Sequence, residues 1–455
     1  MANVESAIDF GDLPTGWSLV PVRSIVRKRR KLVGTNSAAY KLLSLTLRGV
    51  IVRDLSGMKG KFPASFETYQ EVEPGDLVLC MFDVEETPRT VGLSRHFGMI
   101  TGAYDVYRSD DAVALEYLTR LLLVLDENKA LAPLYRGLRK TIPRAAFESL
   151  KVPMPTSEEQ GLIVRYLDHT ELRIAKAIAA KTELARLLQQ QRLALLCSEV
   201  LGRDEDNDIS RDFGRLVERR VLDWVGPVPK SWVVVPMSGV FDVVKQKNFG
   251  LIENTVLSLS YGRVVIKPAE KLRGLVPESF ETYQIIEPGD VIVRPTDLQN
   301  DTTSLRIGQA RDRGIITSAY IALRPKKHVD PDYVMMQLAA YDFLKVLYGF
   351  GSGLRQNLDF KHLKHVPMML PSLAEQSAIV SRVRAKTESV EQAHAAILQE
   401  IALLKEYRTR LISDVVTGKL DVRDEAAKLP DIDPMELATV SVGENGDDEE
   451  ATDDD

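Results

Sequence analysis

The chain has 455 residues, 44 % of them hydrophobic and 27 % charged, a formal net charge of −6 and two cysteines. This predicts two to four domains with ample cores and excludes wholesale disorder. The isolated Cys80 and Cys197 exclude a disulfide framework and a cysteine zinc site, and the longest apolar runs fall far short of the roughly 20 residues that a membrane helix needs.

The opening MANVESAIDFGD has no apolar h-region, so a soluble, cytoplasmic protein with no membrane partner is expected. Trp17 follows Pro14 by three residues, and Arg27-Lys28-Arg29-Arg30-Lys31 is a run of five cations. Leu77-Val78-Leu79 reads as a buried strand. Pro74-Gly75 before it fits a type II turn, because Pro sets the first φ and Gly accepts the positive second one. A helix is predicted at about 113–125, then a loop, Gly137-Leu138-Arg139, and this globular part closes at Val152-Pro153. From Ser157 to about Leu201 the only Gly or Pro is Gly161. Ile163, Leu167, Thr170, Ile174, Ala177, Leu184, Leu188 and Leu195 keep 3-4 or heptad spacing, the pattern of a coiled-coil helix. Residues 202–227 are charge-dense and poorly periodic, and read as a linker.

The same order then repeats. Phe66-Glu67-Thr68-Tyr69-Gln70 recurs as Phe280-Glu281-Thr282-Tyr283-Gln284, and Glu73-Pro74-Gly75-Asp76 as Glu287-Pro288-Gly289-Asp290, both at an offset of 214. Leu43-Ser44-Leu45 returns as Leu257-Ser258-Leu259, and Gly137-Leu138-Arg139 as Gly353-Leu354-Arg355. Trp232 again follows a proline, Pro229, by three residues. A helix is predicted at 331–347. From Ala374 to Val416 a second long helix carries the stripe Ile379, Val383, Val390, Ala393, Ile397, Leu404, Tyr407 and Leu411. Each long helix spans roughly 60 Å at 1.5 Å per residue. Thr170, Lys181, Gln191, Lys386 and Glu400 interrupt the seams, as residues that fix register do. From Asp424 onward there are 13 acidic residues and one lysine, so the preceding body holds 58 basic against 52 acidic residues. The tail reads as a disordered, solvating segment; a polyanion competing with nucleic acid for basic surface is the sharper alternative.

Catalytic signatures do not emerge. Gly418-Lys419 lacks the following Ser or Thr of a phosphate loop, and Gly349-Phe350-Gly351-Ser352-Gly353 is too dense for a dinucleotide turn. His362 and His365 have no third ligand in view, so they read as basic surface rather than a metal site. A binding protein is the better expectation than an enzyme.

Taken together, Leu43-Ser44-Leu45, the Pro-Gly-Asp turn, Gly314-Ile315-Ile316-Thr317-Ser318-Ala319-Tyr320, Gly353-Leu354-Arg355-Gln356-Asn357-Leu358, Pro371-Ser372-Leu373-Ala374-Glu375-Gln376 and the closing segment Arg410 to Arg423 resemble the specificity subunit of type I restriction-modification systems. The resemblance covers about 13–423, with Lys140-Thr141-Ile142 departing from Gln356-Asn357-Leu358 in the first half. It implies an α+β fold: two similar mixed α/β target-recognition domains separated by a long antiparallel two-helix coiled coil, with an internal pseudo-twofold. The expected boundaries are 1–156 and 228–370 for the recognition domains, 157–201 for the first spacer helix, 202–227 for the linker, 371–423 for the second spacer helix and closing segment, and 424–455 for the tail. The resemblance further implies double-stranded DNA, two methyltransferase subunits and motor-nuclease subunits as partners. S-adenosylmethionine, ATP and Mg belong on those partners and none is expected on this chain. A coiled-coil scaffold that never touches DNA is the alternative.

Candidate DNA contacts follow from side-chain chemistry. Arg355 suits guanine O6/N7 and Gln356 adenine N6/N7, with Arg139 and Lys140 as counterparts in the first half. Lys361 and Lys364 suit phosphates, and Arg27, Lys28, Arg29, Arg30 and Lys31 a backbone arm. Tyr104 and Tyr320, flanked by apolar residues, read as core.

Overall fold

The computed structural model describes residues 8–53, 66–202, 209–210, 228–260, 262–268, 279–296, 298, 305–350, 357–430, 432 and 436. It divides into two compact units, one of Met1–Thr182 with Gln399–Asp454 and the other of Glu183–Leu398.

In the first unit the strands Arg27–Arg29, Asp105–Arg108, Leu77–Leu79 and Val91–Leu93 lie side by side in that order, all antiparallel. Three antiparallel pairs complete it: Ser18–Pro21 with Lys151–Met154, Leu43–Thr46 with Gly49–Val52, and Gln70–Val72 with Gly98–Ile100. Leu77, Val78 and Leu79 are all buried, as a strand covered on both faces requires. The Pro-Gly turn before them has Gly75 at φ 85°, as the sequence predicts. The helix Ala112–Glu127 begins at Asp111, whose carboxylate accepts from the amides of Val113 and Ala114, both at 3.0 Å. It covers the sheet with Leu115, Leu118, Leu121 and Leu122.

The second unit has the same plan. Phe241–Val243, Ile321–Pro325, Val291–Val293 and Ile307–Gln309 form its four-stranded sheet. Its three pairs are Val233–Pro236 with Pro367–Leu370, Leu257–Ser260 with Arg263–Ile266, and Gln284–Ile286 with Gly314–Ile316. The helix Pro331–Phe343 is capped by Asp330 as its counterpart is by Asp111. Gly98 and Gly314 explain a shared constraint, since a Cβ would lie 2.4 Å from Lys41 O in one unit and 2.5 Å from Thr255 O in the other. Both let a hairpin cross tightly over the strand.

The long helices are Ser157–Val200 and Leu373–Val416. Each unit holds a stretch of both, running antiparallel: Ile163 and Leu167 share a core with Leu411 and Val415 and Lys181 pairs with Glu400 in the first, and Arg192 meets Glu391 at 2.6 Å and Glu199 meets Arg382 at 3.0 Å in the second. The seam interruptions Lys181 and Glu400 thus satisfy one another, and Lys386 pairs with the buried Glu199. The apolar stripe is partly displaced from its heptad frame. Leu184 and Tyr407 are exposed, and around Leu195 the buried residues are Leu193, Leu196, Cys197 and Val200. There the helix packs on its α/β domain as well as on the other helix, which widens the apolar face beyond a strict seam.

Both helices start and end on a tryptophan. Thr156 and Ser372 cap the starts by accepting from the amides of Glu159 and Glu375, both at 3.3 Å. Those glutamates accept from the indole N–H of Trp17 at 3.0 Å and Trp232 at 2.9 Å. In the first unit the Tyr117 hydroxyl reaches the carbonyl of Val416, the last helical residue, at 2.8 Å. The chain then turns at Gly418, φ 78°, where a Cβ would lie 2.4 Å from Pro14. In the second unit Tyr333, Val200, Gly202 and Pro229 repeat this arrangement. The start of the acidic segment, expected to be disordered from Asp424, is instead folded. Arg423–Ala426 is one helical turn, Val422 and Ala426 are buried, and the Pro430 carbonyl lies 2.7 Å from His169 Nε2.

Candidate nucleic-acid interface

The run Arg27 to Lys31 is not a free cationic arm, because its residues lie on and beyond an edge strand beside an acidic turn. Arg27 pairs with Asp110 and Lys28 with Asp105. Arg29 points inward and meets three carboxylates: Asp76 at 2.7 Å, Glu71 at 2.6 Å, and Glu73. Lys31 reaches Glu71 at 2.8 Å, and the Tyr40 hydroxyl donates to the same carboxylate at 2.7 Å. Burial raises the pKa of Glu71, but the bonds from Lys31, Tyr40 and Arg29 outweigh it and hold the carboxyl at about 2. Arg30 is exposed with no acidic partner among the described residues.

Arg108, which the sequence reading passed over, completes this network. It meets Asp76 at 2.8 Å and Glu73 at 2.7 Å. In the second unit Arg324 holds the buried Asp290 with two bonds, at 2.8 and 2.7 Å. The aspartate of each Pro-Gly-Asp turn also accepts from the amide three residues earlier, Glu73 at 2.8 Å and Glu287 at 2.9 Å. The signal was available: Arg108 and Arg324 are 216 apart, the same distance as between the recurring Gly137-Leu138-Arg139 and Gly353-Leu354-Arg355.

Arg139 and Lys140 lie in a tight turn. Arg136 and Thr141 exchange both backbone hydrogen bonds, at 2.9 and 3.0 Å, and Lys140 has φ 41°. Arg139 is largely exposed and meets Asp83 at 3.1 Å; Lys140 meets Glu85 at 3.7 Å. Lys361 sits in the short helix Phe360–Leu363, where Asp359 caps its amide at 2.9 Å and its ammonium at 3.5 Å. Lys364 is exposed at the end of that turn. Arg355 and Gln356 lie outside the described residues. Tyr104 and Tyr320 pack against the apolar clusters of their sheets, as read. Among the described residues no three His, Cys, Asp or Glu side chains gather as a metal site, and no helix is long and apolar enough to cross a membrane.

No family model matches the chain. It is 23 % identical over 459 residues to the type I restriction enzyme StySPI specificity subunit of Salmonella potsdam, across 90 % of this chain and 94 % of that protein. It is 21 % identical over 323 residues to the EcoBI specificity subunit of Escherichia coli, across 64 % of this chain and 63 % of that protein. In fold it matches a chain solved for the complex assembly and conformational transition of the type I R-M system, with a TM-score of 0.53 and 15 % identity, over 90 % of this chain and 100 % of that one. The homologues of this chain are therefore type I restriction specificity subunits, alike along most of its sequence and in its mixed α/β fold with long helices.

Proposed function

We propose that the chain is a sequence-specific DNA-binding subunit that recognises a bipartite target and directs methyltransferase and restriction subunits to it, with no chemistry of its own. The similarity to specificity subunits across nine-tenths of the chain carries this reading. The duplication supports it, because two units of one plan with different loops suit two half-sites of different sequence. In this reading residues 1–156 and 228–370 are the recognition domains, and the long helices set the gap between half-sites. The linker is 202–227, and of the expected tail 424–455 the part up to Pro430 belongs to the folded first unit. S-adenosylmethionine, ATP and Mg act on the partner subunits, in the cytoplasm. Arg30, Arg139, Lys140, Lys361 and Lys364 are the described cations best placed for DNA, and Arg355 and Gln356 remain candidates for base contacts. Phosphate contacts make affinity fall steeply with salt, whereas a pure scaffold shows no such binding.

The test is a methylated-adenine map of the host with and without this chain, repeated after two changes. Exchanging residues 13–150 for another recognition domain that keeps Trp17 and Tyr117 changes one half of the methylated motif. Inserting one heptad in each long helix changes its gap. An exchange that alters both halves, or no motif that depends on this chain, overturns the proposal.

A further inference from the structure

One apolar side chain serves no packing at all. Leu138, at the apex of the turn Gly137–Lys140, is 101 % exposed, more than any other large hydrophobic residue described. Yet the turn is firmly built. Besides the paired bonds between Arg136 and Thr141, Lys140 N donates to Gly137 O at 3.3 Å, and Asp83 N in the adjoining loop donates to Arg139 O at 2.9 Å. Gly137, Lys140 and Asp83 hold φ of 67°, 41° and 48°. For Lys140 this left-handed backbone is unfavourable, whereas Asp83 is of a type that tolerates it. The fold thus orders a strained turn that buries nothing of its own.

The charges around the apex are balanced rather than plainly cationic. Arg136 folds back on the carbonyls of Pro133 and Tyr135. Arg139 and Lys140 face Asp83 and Glu85, and Glu86 adds a third carboxylate in the same loop. A patch meant only for phosphates would not carry its own carboxylates. A rigid apolar apex flanked by two cations held in reserve is the chemistry of a base contact, where an apolar group meets the thymine methyl or wedges at a base step. The sequence Gly-Leu-Arg recurs at 353–355, as expected for a partner met once by each half.

We infer that Leu138 is a specificity-determining residue that enters a groove of duplex DNA and lies against the bases of one half-site, while Arg139 and Lys140 turn from Asp83 and Glu85 to the flanking phosphates. This rests on the DNA-reading role proposed above. The carboxylates then disfavour indiscriminate binding, because each cation must leave a partner before it gains a phosphate.

The test uses the full chain and a duplex library with a randomised central segment, the bound fraction being sequenced. The unmodified chain enriches a two-part motif. Leu138→Ala flattens one or two adjacent positions in one half, leaves the other half intact, and weakens binding to the enriched duplex about tenfold. Its melting temperature stays unchanged, since the side chain touches nothing. Asp83→Asn keeps a residue suited to positive φ and frees Arg139, so affinity for random duplex rises and the logarithmic salt slope steepens by about one. An unchanged motif and affinity for Leu138→Ala overturns the inference alone, as does a loss spread over both halves. Failure of the unmodified chain to enrich any sequence overturns the DNA-reading role and the inference with it.

Discussion

Arg29, half-buried, and the buried Glu71 form a pair in the first unit whose places in the second are taken by two apolar residues. The register of the edge strands aligns Arg29 with Val244, and the shared Phe-Glu-Thr-Tyr-Gln segment aligns Glu71 with Ile285. Val244 and Ile285 are both buried. The two units have therefore filled one site in two ways, and the remaining guanidinium, Arg108 or Arg324, holds the turn aspartate in each. Breaking a buried pair strands a charge, whereas replacing both partners with apolar groups is often neutral. Arg29→Val leaves Glu71 to Lys31 and Tyr40, and Glu71→Ile leaves Arg29 to Asp76 and Glu73, so each should cost roughly 1.5–3 kcal/mol in urea unfolding, while the double substitution should return close to the parent. Equal and additive losses would show that the two sites are not equivalent. The pH dependence has a definite sign. The Glu71 carboxyl titrates at about 2 in the folded chain against an ordinary 4.5, so its stabilisation is complete above pH 4.5 and is lost as the pH falls towards 2. The double variant lacks that part of the acid loss.

At the scale of elements, the two long helices were the most legible feature, because a heptad pattern without Gly or Pro leaves few alternatives. The Pro-Gly turn was legible for an equally local reason, the φ each residue permits. What the spacing could not show was where the helices dock. The seam near Leu195 shifts because the α/β domain competes with the other helix for that face. The cations of the 27–31 run looked free because their carboxylate partners are distant in sequence, Glu71 lying 42 residues from Arg29. The glycine of the closing segment Arg410 to Arg423 also gains a physical cause. Gly418 closes the second long helix with a positive φ, against Pro14 and Trp17. Gly418→Ala should lower stability by about 1–3 kcal/mol, from left-handed strain and the displaced proline. Gly161, inside the first long helix with nothing within 4 Å of a Cβ, gives the opposite sign: Gly161→Ala should raise stability by about 0.5–1 kcal/mol. Thermal melts of both variants check the pair.

The whole molecule is acidic only because of its end. Removing residues 431–455 takes away 11 acidic residues and no basic ones, and moves the formal charge from −6 to +5. The fold sets where such a cut can be made. Gly418, Val422 and Ala426 pack into the first unit, and His169 meets the Pro430 carbonyl, so a chain ending at Val416 should melt at a lower temperature. A chain ending at Pro430 loses the Lys176–Glu436 pair, which is half-exposed on both sides and contributes at most about 1 kcal/mol. Its melting temperature should stay close to that of the parent. Its affinity for random duplex DNA should rise at low salt, because the body no longer carries a polyanion competing for its basic surface. The gain should fade as salt shortens the Debye length to about 8 Å near 0.15 M. Equal affinities of the two chains at low salt would make the tail a solvating segment with no part in DNA binding, whereas a gain that persisted at high salt would point to direct occlusion of the binding surface rather than to charge.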